Sequence, residues 1–147
     1  MFHKILMAVD GSKYSNHAVE VAVDLAGRFQ STVLLLHVIR NLSLPQEILD
    51  MMARGQVTES RLELLQDSAE IILESAKEKF VNAGILNVNS AYLIGPPAST
   101  IVDYAEENGV DLIILGHRGI SSEGDELLGG VARKLTNISR ISCLVVK

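Results

Sequence analysis

The apolar positions of the chain fall into two alternating kinds of segment. Five are short and almost wholly apolar: Ile5 to Val9, Thr32 to Val38, Val88 to Ile94, Asp111 to Leu115 and Ser142 to Val146. Runs of this length, bounded by Gly, Pro, Asp or Ser, predict strands, and a strand apolar at every position is covered on both faces. Between them the apolar residues recur every three or four positions. Ala18, Val21, Ala22, Leu25, Ala26 and Phe29 form one helical stripe, with Ser12 placed to cap its start. Leu62, Leu65, Ala69, Ile72, Leu73, Ala76 and Phe80 form a longer one, which Ser60 and Glu63 can open as a capping box and Gly84 can close. Ile101, Val102 and Ala105 mark a helix between Pro97 and Gly109, and Val131 to Ile138 reads as the last helix. The segment from Pro45 to Ala53 fits either a short helix or a mobile connection, and Gly55 follows it.

Strands that alternate with helices and are apolar throughout predict an α/β fold: a doubly wound, five-stranded parallel sheet between two layers of helix. With 147 residues and 48% hydrophobic content the chain has the length and the apolar material of one domain, residues 1–147, with no internal repeat or linker. A net charge of −5 offers no Lys/Arg excess to neutralise phosphates, so neither nucleic acid nor an anionic membrane is an expected partner. The single cysteine, Cys143, lies in an apolar run and reads as a buried small hydrophobe, which fits a reduced, cytoplasmic setting. After Lys4 only about five apolar residues precede Asp10, too few for a signal peptide or a membrane span.

Ligands of open α/β sheets bind outside the carboxyl ends of the strands, where the winding reverses. Two predicted strand ends carry polar chemistry there: Asp10-Gly11-Ser12 after the first, and Gly116-His117-Arg118-Gly119 after the fourth. Gly116, Gly119 and Gly129 stand in the pattern G-x2-G-x9-G, and Gly129-Gly130 directly precedes a helix. Bare backbone that feeds a helix N-terminus makes a site for a phosphate or another anion; the other reading is that these glycines only shape turns. Asp10 serves equally as a turn cap or a ligand contact. Arg118 serves equally as a phosphate contact or a solvated cation. His37, at the end of an apolar strand, reads as a core histidine, and no His/Cys/carboxylate set has metal-site spacing.

In these motifs the chain resembles the universal stress protein family. The resemblance runs over its whole length: the opening of residues 5 to 12 (ILMAVDGS), LLLHV at 34 to 38, the Gly95-Pro96 step, VDLIILGHRG at 110 to 119, Gly129 and the final SCLVV. It implies a flavodoxin-like or adenine-nucleotide-hydrolase-like sheet of strand order 3-2-1-4-5. It further implies a site for ATP or AMP, with Mg2+ as an accompanying ion. By the same resemblance Ala8, Val9 and Asp10 approach the nucleoside and the Val38 backbone meets the adenine edge. Leu115, Gly116, Arg118 and Gly119 line the ribose and phosphates, while Gly129, Gly130 and Val131 offer backbone donors to the phosphates. A homodimer through Ser142 to Val146 is also implied, and a short apolar strand near a terminus is a liability if left unpaired.

The sequence departs from the nucleotide-binding pattern at Gly130, where that branch has Ser or Thr. The exchange costs a helix entrance little but takes a hydroxyl donor from a bound phosphate, worth roughly 1.5 to 3 kcal/mol. Between residues 116 and 134, Arg118, Arg133 and Lys134 are balanced by Glu123, Asp125 and Glu126, and the acidic stretch is expected to point into water. No nucleophile elbow, Walker loop or dinucleotide fingerprint is present. The leading expectation is therefore a stress-response binding protein switched by an adenine nucleotide. Its rivals are an interaction protein with a decayed site, acting through protein partners the sequence does not name, and a slow ATPase.

Overall fold

The computed structural model describes residues 1–40, 46–55, 59–119 and 128–147. The five apolar runs form the strands β1 (Lys4–Ala8), β2 (Thr32–Ile39), β3 (Val88–Ile94), β4 (Leu112–Gly116) and β5 (Ser142–Val146). They make one parallel sheet of order β3-β2-β1-β4-β5, the order that the resemblance implied. Helices α1 (Lys13–Phe29), α2 (Gln46–Ala53), α3 (Glu59–Asn82), α4 (Pro97–Glu107) and α5 (Gly130–Ile138) supply the connections.

Several helix ends have a local cause. Ser12 caps α1, its side chain accepting from the Ser15 N–H at 3.1 Å. Pro97 occupies the first turn of α4, where its missing N–H costs nothing, and Gly109 beyond its end takes a φ of +67°. Past α3 the N–H of Gly84 reaches the Val81 carbonyl with φ +85°. The side chain of Ser60, the expected start of a capping box, lies outside the described residues.

The sheet separates two cores. On one face Ile5, Met7, Val33 and Leu35 pack with Ala18, Val19 and Ala22 of α1 and with Leu73, Ala76 and Phe80 of α3. On the other Leu6, Leu36, Ile113 and Leu115 pack with Ile101, Val102 and Ala105 of α4 and Leu135 of α5. Cys143 is half-buried against this second core, its thiol 3.3 Å from the Ile141 carbonyl.

Several boundaries differ from the sequence reading by one residue. Asp111 is not part of β4: its carboxylate accepts from the N–H groups of His3 and Lys4 at 2.9 and 3.2 Å, tying the entrance of β1 to that of β4. The segment left open between helix and connection is helical at Gln46–Ala53. Phe29 lies at the rim of its stripe, 37% exposed, with its ring edge-on to Phe2 at 5.4 Å, because α1 turns Val19 rather than Phe29 toward the sheet. The last helix opens at Gly130, so its cap is Gly129 and not Gly130.

Candidate functional site

β1 pairs directly with β4, with Ile5, Leu6 and Met7 opposite Leu112, Ile113 and Ile114. From β1 the chain winds outward to β2 and β3, and from β4 it winds the other way to β5. The winding reverses between β1 and β4, so the segments leaving these two strands open a crevice.

The β1 side of the crevice is a closed hydrogen-bonded turn. Asp10 Oδ1 accepts from the Ser12 N–H at 2.9 Å, Ser12 Oγ from the Ser15 N–H, and Ser15 Oγ from the Asp10 N–H at 3.2 Å. Gly11 carries the positive φ of +81° that the turn demands. Turn chemistry thus accounts for Oδ1 of Asp10. The other carboxylate oxygen, Oδ2, reaches across to the β4 side, where a Cβ on Gly119 would stand 2.8 Å from it. Gly116 is confined in the same way: a Cβ there would lie 2.9 Å from the Tyr14 carbonyl carbon, at the start of α1. Gly119 is thus confined by the turn after β1 and Gly116 by the start of α1, and not by turn shape alone.

The β4 segment is tied to the last helix and the last strand by His117. Its carbonyl accepts from the Gly129 N–H at 2.7 Å, and its own N–H donates to the Val146 carbonyl at 2.8 Å. Gly129 enters α5 with φ −68° and ψ 167° and offers no side-chain cap. The first turn of α5 therefore presents N–H groups without partners inside the helix. A side chain at Gly130 would enter open space.

These elements enclose a cleft of about 570 Å³. Ala8, Val9, Asp10, Val38, Leu115, Gly116, Arg118, Gly119, Gly129, Gly130 and Val131, the residues singled out from the sequence, all line it. It also takes in residues the sequence reading left out, among them Ser15, His37, Arg40, Ser68, Ile101 and Lys134. The ring of His37 is anchored as a core histidine would be, with Nδ1 2.7 Å from the Val9 carbonyl, yet it forms part of the cleft wall. Arg40 follows β2 and could have been found by the strand-end rule that picked out Asp10. Lys134 lies one helical turn beyond Gly130, a placement that needs the first residue of α5 to be known.

The charge of the cleft differs from the charge of the sequence around it. Among the described residues, its lining carries Arg40, Arg118 and Lys134 against the single carboxylate of Asp10. Glu123, Asp125 and Glu126, which balanced the cations along the chain, lie outside the described residues. Arg118 stands 6.0 Å from the centre of the Tyr14 ring, and that ring meets His117 edge-on at 5.1 Å.

A doubly wound parallel sheet with bare main chain and an acidic strand end at its switch point defines an open α/β protein whose cleft lies where such sheets take their ligands. Residues 1–147 match the universal stress protein family, and the chain belongs to it. The universal stress protein YxiE of Bacillus subtilis is 36% identical, with both chains covered in full. The solved structure of hypothetical protein MJ0577, from Methanocaldococcus jannaschii, superposes with a TM-score of 0.83 at 29% identity, covering all of this chain and 96% of that one. An Archaeoglobus fulgidus universal stress protein in complex with dAMP shares the fold with a TM-score of 0.70 at 18% identity, covering all of this chain and 98% of that one.

Proposed function

We propose that the cleft binds an adenine nucleotide, ATP or AMP, and that its occupancy sets the state of a stress-response regulator. The observation that carries this reading is the charge and shape of the lining: Arg118, Lys134 and the N-terminus of α5 from the β4 side, and Asp10 with Arg40 from the β1–β2 side. Phosphates are held by a helix N-terminus and by cations, whereas a carboxylate accepts hydrogen bonds from ribose hydroxyls. The dAMP complex of a relative of the same fold supports the choice of ligand. Any Mg2+ that ATP carries would be held by its own phosphates and water, since among the described residues no group of three or more His, Cys, Asp or Glu stands together to hold a metal.

Calorimetric titration with ATP, ADP, AMP and cyclic AMP tests the reading. Saturable heat with at least one of them is expected, and no heat at about 1 mM ligand means the protein works without a nucleotide. Gly130→Ser restores the hydroxyl that the binding branch of the family carries, in a place where the side chain meets nothing. Its expected result is ATP binding tightened by about ten-fold, the equivalent of one charge-assisted hydrogen bond. Unchanged affinity in that variant would favour a decayed site. ADP production above that of Asp10→Ala would make the protein a slow ATPase.

A further inference from the structure

A separate groove lies away from the cleft at the β1–β4 switch point, between α3 and β3. Asp67, Glu70, Ile71, Leu73 and Glu74 of α3 form one wall, and Ser90, Ala91 and Tyr92 of β3 the other. β3 ends the sheet. The bonds at its two ends, Val33 N–H to the Asn87 carbonyl and Gly95 N–H to the Ile39 carbonyl, turn the odd-numbered residues toward β2. By strand alternation the N–H and C=O groups of Ser90 and Tyr92 face outward. Edge strands of stable proteins carry a Lys, a Pro or a bulge that discourages further pairing. β3, VNSAYLI, has neither charge nor proline, and its register with β2 runs unbroken from Val88 to Ile94.

Beside this open edge stand an apolar side chain and acid groups of one sign. Ile71 is 71% exposed, and among the described residues the lining contains three carboxylates and no cation. A second copy of the chain is a poor occupant, since edge-to-edge pairing would bring two such acidic rows together in a protein already at net charge −5. The β5 edge, SCLVV, bears no carboxylate, so the two ends of the sheet differ in what they can accept. We infer that the groove takes an extended segment of a partner protein in which apolar residues alternate with Lys or Arg, and that this segment adds to β3 as a sixth strand. Main-chain bonds to Ser90 and Tyr92 supply the pairing, and Asp67, Glu70 and Glu74 select the basic side chains.

The test is fluorescence anisotropy with the full chain and a labelled decapeptide of alternating lysine and valine. Saturable binding below about 100 µM is expected, weakened by about 0.5 M salt. The double variant Glu70→Lys, Glu74→Lys is expected to weaken it about ten-fold or more. Ser90→Pro, which removes an outward amide without touching a β2 bond, is expected to do the same. If Ser90→Pro melts at a lower temperature, the same peptide N-methylated along one edge replaces it as the probe, with the same loss expected. Absence of saturable binding overturns the proposal. So does binding that neither Ser90→Pro nor N-methylation weakens, since charge alone would then account for it. Self-association of the protein without peptide that Ser90→Pro abolishes assigns the edge to a second copy and overturns it as well.

Discussion

Gly119 shows how much one missing Cβ decides. It lies against Oδ2 of Asp10, and alanine there would need the carboxylate to move. A side chain can swing, so Gly119→Ala is expected to leave folding stability within about 1 kcal/mol and to weaken nucleotide binding about ten-fold, read by urea denaturation and calorimetry together. Gly116 faces backbone at 2.9 Å, which cannot swing. Gly116→Ala is therefore expected to lower unfolding free energy by roughly 1 to 3 kcal/mol, and an unchanged urea midpoint would contradict that contact. Both glycines were visible in the sequence as part of G-x2-G-x9-G. Their reason was not, because it depends on Tyr14 and Asp10, more than a hundred positions away along the chain.

At the scale of elements, all five strands were legible because a parallel sheet covered on both faces needs uninterrupted apolar runs. Their ends were less so: Asp111 continues an apolar run in the sequence but spends its carboxylate on the His3 and Lys4 amides across the sheet. The α1 stripe was legible to within a rotation, and its edge, Phe29, was misjudged because three-and-four spacing alone cannot say which side of a broad stripe meets the sheet. The start of α1 was read correctly from Ser12 because capping is a local event. Ser12→Ala removes the bond to the Ser15 N–H and loosens the turn that carries Asp10. A loss of roughly 0.5 to 2 kcal/mol is expected, with the denaturant slope unchanged in urea unfolding. At the site, charge misled most: summed along residues 116 to 134 it cancels, whereas the cleft gathers Arg40 from the segment after β2, Arg118 from the segment after β4 and Lys134 from α5.

For the whole molecule the two sheet edges are the open question that solution measurements answer. Val146 accepts from His117, so its neighbour Val145 turns its N–H outward. If β5 pairs with a second copy, light scattering will report twice the 16.0 kDa chain mass, and Val145→Pro will return a monomer that still binds nucleotide. A wild-type monomer would remove that reading. The placement of the cleft has one more consequence. β1 and β4 belong to different halves of the chain, and they meet through a register of three residue pairs, with Asp10 and Gly119 in contact just beyond. A nucleotide lodged there touches both halves at their seam and acts as a rivet. Cut between β3 and α4, the two fragments should reassemble more readily when the ligand is present, which would make small-molecule supply a control on complementation.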